Sequence, residues 1–350
     1  MSAPTSSAAA LRPPGFAGAG LRRDLWLLAG LVLLGCLLPL VLNRGLVFIA
    51  GMVWINAVFG LSFNLLFGLS GVLSFGQAMF FAAGAYGAAV LTQTAGWPLW
   101  LAVPAAGVIG AAIAAVVGGV ALRRSEGVYF AILTLSFAEL LHLLISNTAL
   151  LGRNDGLAGL PRPVITLGDW RLDLAQGDGF YVLIVLTCAL LIALLRCVVA
   201  SPFGRALQAL KQDPERAEFL GIPVRRHRWA VFVLAGFTTA CAGALVAPWA
   251  QIVTPELAHW SNSTNPILYT LLGGSAYFWG PALGAVLLSA VFYVTRTLVG
   301  ISDLVTGLML LSVVLALPGG VLGLIDRLLR RRPAAAGAGQ AKRGDSGVAA

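Results

Sequence analysis

Only two lysines occur in this chain, Lys211 and Lys342, and no GxxxxGK[ST] segment is present. Without that phosphate-cradling loop the chain has no Walker route to ATP hydrolysis, so any energy drawn from ATP must enter through another subunit. HExxH, GxSxG and paired acids within apolar runs are also missing, so the chain is not expected to be an enzyme. The four cysteines, Cys36, Cys188, Cys197 and Cys241, lie in or beside apolar runs without CxxC spacing. They read as small packing residues, not as disulfides or metal ligands, and no cofactor is expected in this chain. Charge is scarce at 11% of residues, and from Gly45 to Leu122 there are 78 consecutive residues without Asp, Glu, Lys or Arg. As one helix at about 1.5 Å per residue, that run would be several times the roughly 30 Å hydrocarbon core, so it must fold into several crossings.

What is present fits a polytopic membrane protein. Hydrophobic residues make up 59% of the chain, and the mean hydropathy of +0.89 excludes a soluble globule. A net charge of +9 in a soluble domain would suggest nucleic acid, but here the cations sit at the ends of apolar runs. The positive-inside rule accounts for them, and no nucleic-acid partner is expected. Apolar runs predict spans near 25–42, 46–67, 72–94, 98–121, 127–150, 179–199, 229–250 and 300–318. The first, after Arg22 and Arg23, has no convincing small-residue cleavage site and reads as a retained span. Residues 266–294 contain Gly273, Gly274, Gly280, Pro281 and Gly284, which predict two half-helices dipping into the membrane or one strongly broken span. The expected fold is therefore all-α, with about eight transmembrane helices plus a broken or re-entrant segment. The helical membrane domain covers 21–328, with tails at 1–20 and 329–350 expected to be disordered.

Charge orients this arrangement. Arg12, Arg22 and Arg23 place the N-terminus in the cytoplasm, and four crossings return Arg123 and Arg124 to that side. Two more bring down the 28-residue loop Ser201–Arg228, with six cations and three anions. The loop Gly152–Asp178, with three Arg and four Asp, falls on the opposite face. The basic C-terminal tail should also be cytoplasmic, which favours the re-entrant reading of 266–294. A membrane protein that gathers its charge into one internal loop is expected to hold a partner there.

Polar groups within the spans need partners, since an unsatisfied one in hydrocarbon costs several kcal/mol. Asn56, Asn64, Ser74, Gln77, Thr134, Ser136, Glu139, His142 and Asn147 are such groups. Glu139 is the only acid between Gly127 and Leu151, and His142 follows it on the same helix face. An intramembrane carboxylate is a functional candidate, and a structural Glu139–His142 pair is the alternative. Gly71, Ser74, Gly76, Gly84 and Gly87 form a small-residue concentration suited to helix packing or to leaving room for a path, packing being the simpler reading.

Five ordered blocks together resemble the LivM-type permease of branched-chain amino-acid ABC importers. They are GLSFNLLFGLSGVLSFGQAMFFAAGAYGAAVL (Gly60–Leu91), EGVYFAILTLSFAELLHLL (Glu126–Leu144), NDGLAGLPRP (Asn154–Pro163), SPFGRALQALKQDPERAEFLGIPV (Ser201–Val224) and GGSAYFWGPALGAVLL (Gly273–Leu288). The resemblance covers roughly residues 25–325 and departs at His142, where an Arg would be more usual. It implies a subunit in a bacterial cytoplasmic (inner) membrane that works with a second, LivH-like permease, two cytoplasmic ABC ATPases that use ATP, and an extracytoplasmic substrate-binding protein. Within the cytoplasmic loop 201–228, Glu215, Ala217 and Gly221 resemble the acidic, small and glycine positions of the EAA-type loop that docks into the ATPases. Short helices interrupted at Pro214 would offer Ala206, Leu207, Leu210, Ala217 and Leu220 as apolar anchors, with Arg205 beside them. A solvated basic loop near anionic lipid is the alternative.

On the opposite face Asn154, Asp155 and Gly156 are candidates for the binding-protein contact, or part of a plain connector, and Thr254–Asn265 is a second candidate. Asn64, Ser74, Gln77, Thr134 and Glu139 are the candidate path residues for branched apolar amino acids moved by alternating access. A permease for urea or another amide or amino acid is the nearest alternative. A secondary transporter or channel would need coupling acids or a filter.

Overall fold

The computed structural model describes residues 20–124, 127–160, 164–167, 170–173, 179–295, 304–305, 307–308, 311 and 319–330. Every peptide group in hydrocarbon must be bonded within its own segment, so uncharged runs become helices. They are α1 (Leu21–Leu37), α2 (Arg44–Asn64), α3 (Gln77–Gln93), α4 (Leu99–Arg124), α5 (Val128–Asn147) and α6 (Gly179–Ala200). Two short helices follow, α7 (Pro202–Gln212) and α8 (Pro214–Phe219), and then the long α9 (Val224–Ala250). The described chain continues with α10 (Thr264–Gly273), α11 (Gly280–Thr295) and α12 (Gly320–Arg330). Among these, α1, α2, α4, α5, α6 and α9 are long and apolar enough to cross a membrane. The all-α polytopic expectation holds.

Two expected spans change at their ends. The helix expected over 72–94 starts only at Gln77, because Gly71 at φ 74° ends the preceding helix and residues 71–76 form a non-helical connector. The helix expected over 46–67 runs on instead, through a π turn at Leu65–Ser70. The span expected at 300–318 lies mostly outside the described residues, as do the tails 1–19 and 331–350. Leu329 and Arg330, assigned to the C-terminal tail, are the last residues of α12.

The centre of the molecule is α9, packed between α3 and α4. Contact there depends on the absence of side chains: a Cβ at Gly84 would overlap the Ala240 carbonyl, and one at Gly243 the Phe81 carbonyl. Lipid supplies no hydrophobic drive between helices, so backbone approach of this kind is what dispersion needs. The packing reading is borne out at Gly84. Helix α1 is peripheral, with Trp26, Leu33 and Leu34 exposed as on a lipid-facing helix.

Helices α10 and α11 are the two half-helices expected at 266–294. They form an antiparallel hairpin so close that a Cβ at Gly284 would overlap the Tyr269 carbonyl. The hairpin tip, residues 274–279, folds against the end of α2, where Asn64 Nδ2 donates to the Tyr277 carbonyl at 3.3 Å. Next to the tip, Arg196 near the end of α6 pairs with Asp24 at the start of α1 at 2.5 Å, both buried, and its guanidinium lies 5.5 Å from the Phe278 ring centroid.

Cations collect at one end of the bundle, with Arg225 donating to the Arg123 carbonyl at 3.2 Å and α7 and α8 beside them. At the other end β1 (Leu157–Ala158) pairs antiparallel with a second two-residue strand, Ile252–Val253, in the register Leu157↔Val253. A separate hairpin joins Val164–Leu167 to Trp170–Asp173. Cys188 and Cys241 are buried, as the packing reading expects, whereas Cys36 is half-buried and Cys197 exposed, so that reading does not extend to Cys197.

Candidate functional site

At the basic end, Ser201 and Asp213 set the two short helices. Each is followed by Pro at the first helical position, and each side chain accepts a backbone N–H, from Gly204 at 3.3 Å and Arg216 at 3.1 Å. This is N-capping with a pre-set φ, so the break falls at Asp213–Pro214 as expected. Leu207, Leu210 and Ala217 are buried against their own bundle, which corrects their reading as anchors for a partner. Leu220, read as an anchor of the same kind, lies on the outer surface: it is 80% exposed, beside Phe219 at 92%. Arg205, Glu215 and Gly221 are exposed as well, and Gly221 adopts φ 82°, the left-handed turn that lets Ile222 bond back to the Ala217 carbonyl at 3.0 Å. The face offered outward is therefore Phe219, Leu220 and Gly221 framed by charge.

Sequence reasoning missed Lys211. Its ammonium donates to the Gly68 carbonyl in the π turn of α2 at 2.7 Å, and its stem runs along Gly71. The side chain as a whole remains exposed, but its ammonium end is partly withdrawn from solvent, and that desolvation lowers its pKa from the usual lysine value. The Gly68 carbonyl, one of the last in its helix and without an intrahelical N–H, offsets part of that cost.

Of the candidate path residues, the structure brings three together at the 71–76 connector. Phe75 N–H donates to Thr134 Oγ1 at 3.1 Å, Gly76 N–H donates to Ser74 Oγ at 3.2 Å, and Thr239 Oγ1 donates to Gln77 Oε1 at 3.0 Å. Ala78 N–H donates to Ser263 Oγ at 2.9 Å, so the start of α3 is tied to α5, to α9 and to the segment before α10. Ser74, Gln77 and Thr134 are fully buried. Asn64 is not part of this group and belongs to the hairpin tip. The connector also walls a cavity of about 310 Å³ at the basic end, lined by Gly71, Val72, Leu73, Phe130 and Arg228.

Glu139 and His142 share a face of α5 but do not pair. His142 Nδ1 donates to the Pro255 carbonyl at 3.0 Å, which fixes that tautomer, and its ring meets His259 edge-on at 5.2 Å. In place of the structural Glu139–His142 pair, His142 is tied to the segment after α9. Three side-chain atoms of the candidate path residues, Asn64 Oδ1, Gln77 Nε2 and Glu139 Oε2, are buried without a hydrogen-bond partner among the described residues. Such atoms cost about 1–3 kcal/mol each and mark sites where polar company is accommodated.

At the other end Asn154 and Asp155 are exposed and Gly156 half-buried. The pairing of Leu157 with Val253 joins this segment to Thr254–Asn265, so two candidates far apart in the sequence form one surface.

Residues 45–314 match the family described as branched-chain amino acid transport system / permease component. The chain is 29% identical to the high-affinity branched-chain amino acid transport system permease protein LivM of Escherichia coli K12, over 94% of this chain and 81% of that protein. It is also 29% identical to LivM of Salmonella typhimurium LT2, over 94% and 80%. To the LivH permease of Salmonella typhimurium LT2 it is 23% identical, over 76% of this chain and 91% of that one. No solved structure matches the chain.

Proposed function

Because this chain belongs to the branched-chain amino acid transport permease family, we propose that it is the LivM-like transmembrane subunit of an importer for leucine, isoleucine and valine in a bacterial cytoplasmic membrane. It pairs with a LivH-like permease, and two ATPases on separate chains supply the energy. An extracytoplasmic binding protein delivers the substrate. The observation that carries this reading is the match over most of the chain, with both LivM and LivH proteins among its relatives.

The geometry supports a division of labour. The basic end is cytoplasmic under the positive-inside rule, so Phe219, Leu220 and Gly221, with Arg205 and Glu215 beside them, meet the ATPase. Two exposed large apolar side chains next to a charged rim suit a docking patch. The surface made by Asn154–Gly156 and Thr254–Asn265 faces the binding protein. Between them, the connector with Ser74, Gln77 and Thr134 forms a polar step in an apolar path, Glu139 lies further along α5, and the Arg228-lined cavity is its release end. A few weakly bonded polar groups suit a substrate that must be held briefly and let go.

Uptake of labelled leucine tests the reading in cells that lack their own branched-chain system and express this chain with its partner genes. Restored leucine uptake, competed by isoleucine and valine, is the expected result. Uptake of urea with none of leucine would keep a permease and change its substrate.

A further inference from the structure

We propose that Lys211 is a positioning residue of the transport cycle: it pins α7 to the π-turned end of α2, so that movement of the coupling loop passes into the α10–α11 hairpin. The proposal rests on the importer reading above and names the element that links its cytoplasmic face to its core.

Four observations place the pin. The Lys211 ammonium donates to the Gly68 carbonyl at 2.7 Å, across 143 residues of sequence. That carbonyl belongs to Leu65–Ser70, a six-residue π turn closed by Gly71 at φ 74°. A π turn inside a helix is a local departure from the best-bonded geometry and recurs at functional sites. The same turn touches the hairpin tip: a Cβ at Gly68 would stand 2.6 Å from the Ser275 carbonyl, and Asn64 donates to Tyr277. From the tip, the Tyr277 hydroxyl donates to Asp326 of α12 at 3.0 Å. The chain α7, end of α2, hairpin tip, α12 is thus continuous in hydrogen bonds and backbone contact. Leu207 and Leu210 hold α7 against the bundle without direction, whereas the charge-assisted bond to one carbonyl fixes its register.

The test uses the full complex purified with its ATPases and binding protein and reconstituted in liposomes, comparing wild type with Lys211→Met. The expected result is unchanged co-purification and basal ATP hydrolysis, with leucine imported per ATP reduced about tenfold, the ratio that loss of one charge-assisted hydrogen bond supports. A Gly71→Cys/Lys211→Cys variant supplies the rescue, because a Cβ at Gly71 would lie 3.9 Å from Lys211 Cβ, within disulfide range. It is expected to be uncoupled when reduced and recoupled when oxidised, with Gly71→Cys alone controlling for strain at that positive φ. Normal import per ATP in Lys211→Met overturns the proposal, and so does loss of the ATPases from that complex, which would make the ammonium a partner contact. If wild type imports no branched-chain amino acid, the importer reading fails separately. Amide exchange then still decides: faster exchange at residues 65–72 and 274–279 in Lys211→Met upholds the pin, and no change refutes it.

Discussion

Removing one partner of the Asp24–Arg196 pair should cost far more than removing both. Arg196 Nε and Nη2 both lie 2.5 Å from Asp24 Oδ2, and each residue is 4% exposed. Neither charge has bulk water to fall back on. Asp24→Leu leaves a buried guanidinium beside the Phe278 ring, and Arg196→Met leaves a buried carboxylate, each a loss of about 3–5 kcal/mol. The double variant removes both desolvation costs and should return to within about 1–2 kcal/mol of wild type, so the coupling energy is about 3 kcal/mol or more. Thermal unfolding in nanodiscs, followed by intrinsic tryptophan fluorescence, reads this as single-variant midpoints lowered by roughly 6–20 °C with the double largely restored. Single losses that simply add in the double variant would refute the reasoning. That result would mean that α1 and α6 are held by apolar packing and the pair contributes nothing specific.

Three further outcomes follow from named contacts. Phe219→Asp and Leu220→Asp should abolish ATPase co-purification with normal accumulation of the chain, since both are exposed, whereas Leu207→Asp, buried, should abolish accumulation itself; immunoblotting and pull-down separate the two. Gly84→Leu should drive α3 off α9, because even its Cβ would overlap the Ala240 carbonyl; a loss of at least about 1–3 kcal/mol from overpacking is expected, seen as a lowered unfolding midpoint. Thr134→Val keeps the shape but strips the Phe75 N–H of its acceptor, at a cost of about 1–3 kcal/mol, and faster amide exchange at residues 72–76 is the measurement that checks it.

The helices were legible in the sequence because hydrocarbon leaves the backbone one solution, and the density of Gly and Pro at 266–294 did announce the α10–α11 hairpin. The 71–76 connector was not, since Gly71–Gly76 is as apolar as a span and only the positive φ of Gly71 ends the helix. Periodicity correctly put His142 on the face of Glu139, yet could not show that the Pro255 carbonyl, 113 residues on, would accept its hydrogen bond. The Asp24–Arg196 and Lys211–Gly68 ties escaped for the same reason: each joins positions far apart in sequence whose own neighbourhoods give no hint of a partner. In the 201–228 loop the break at Pro214 was readable, but which apolar side chains face inward depends on how α7 and α8 lie on the bundle. Leu207 and Leu220 accordingly ended on opposite sides of the expected surface.

The central claim is that this chain moves branched-chain amino acids with energy supplied from other subunits. Its most direct test is uptake of labelled leucine by liposomes holding the purified complex, with ATP and the binding protein added or withheld in turn. Leucine accumulation that requires both is the expected result. Leucine accumulation that persists without ATP or without any partner subunit would contradict it and make the chain a secondary transporter or channel.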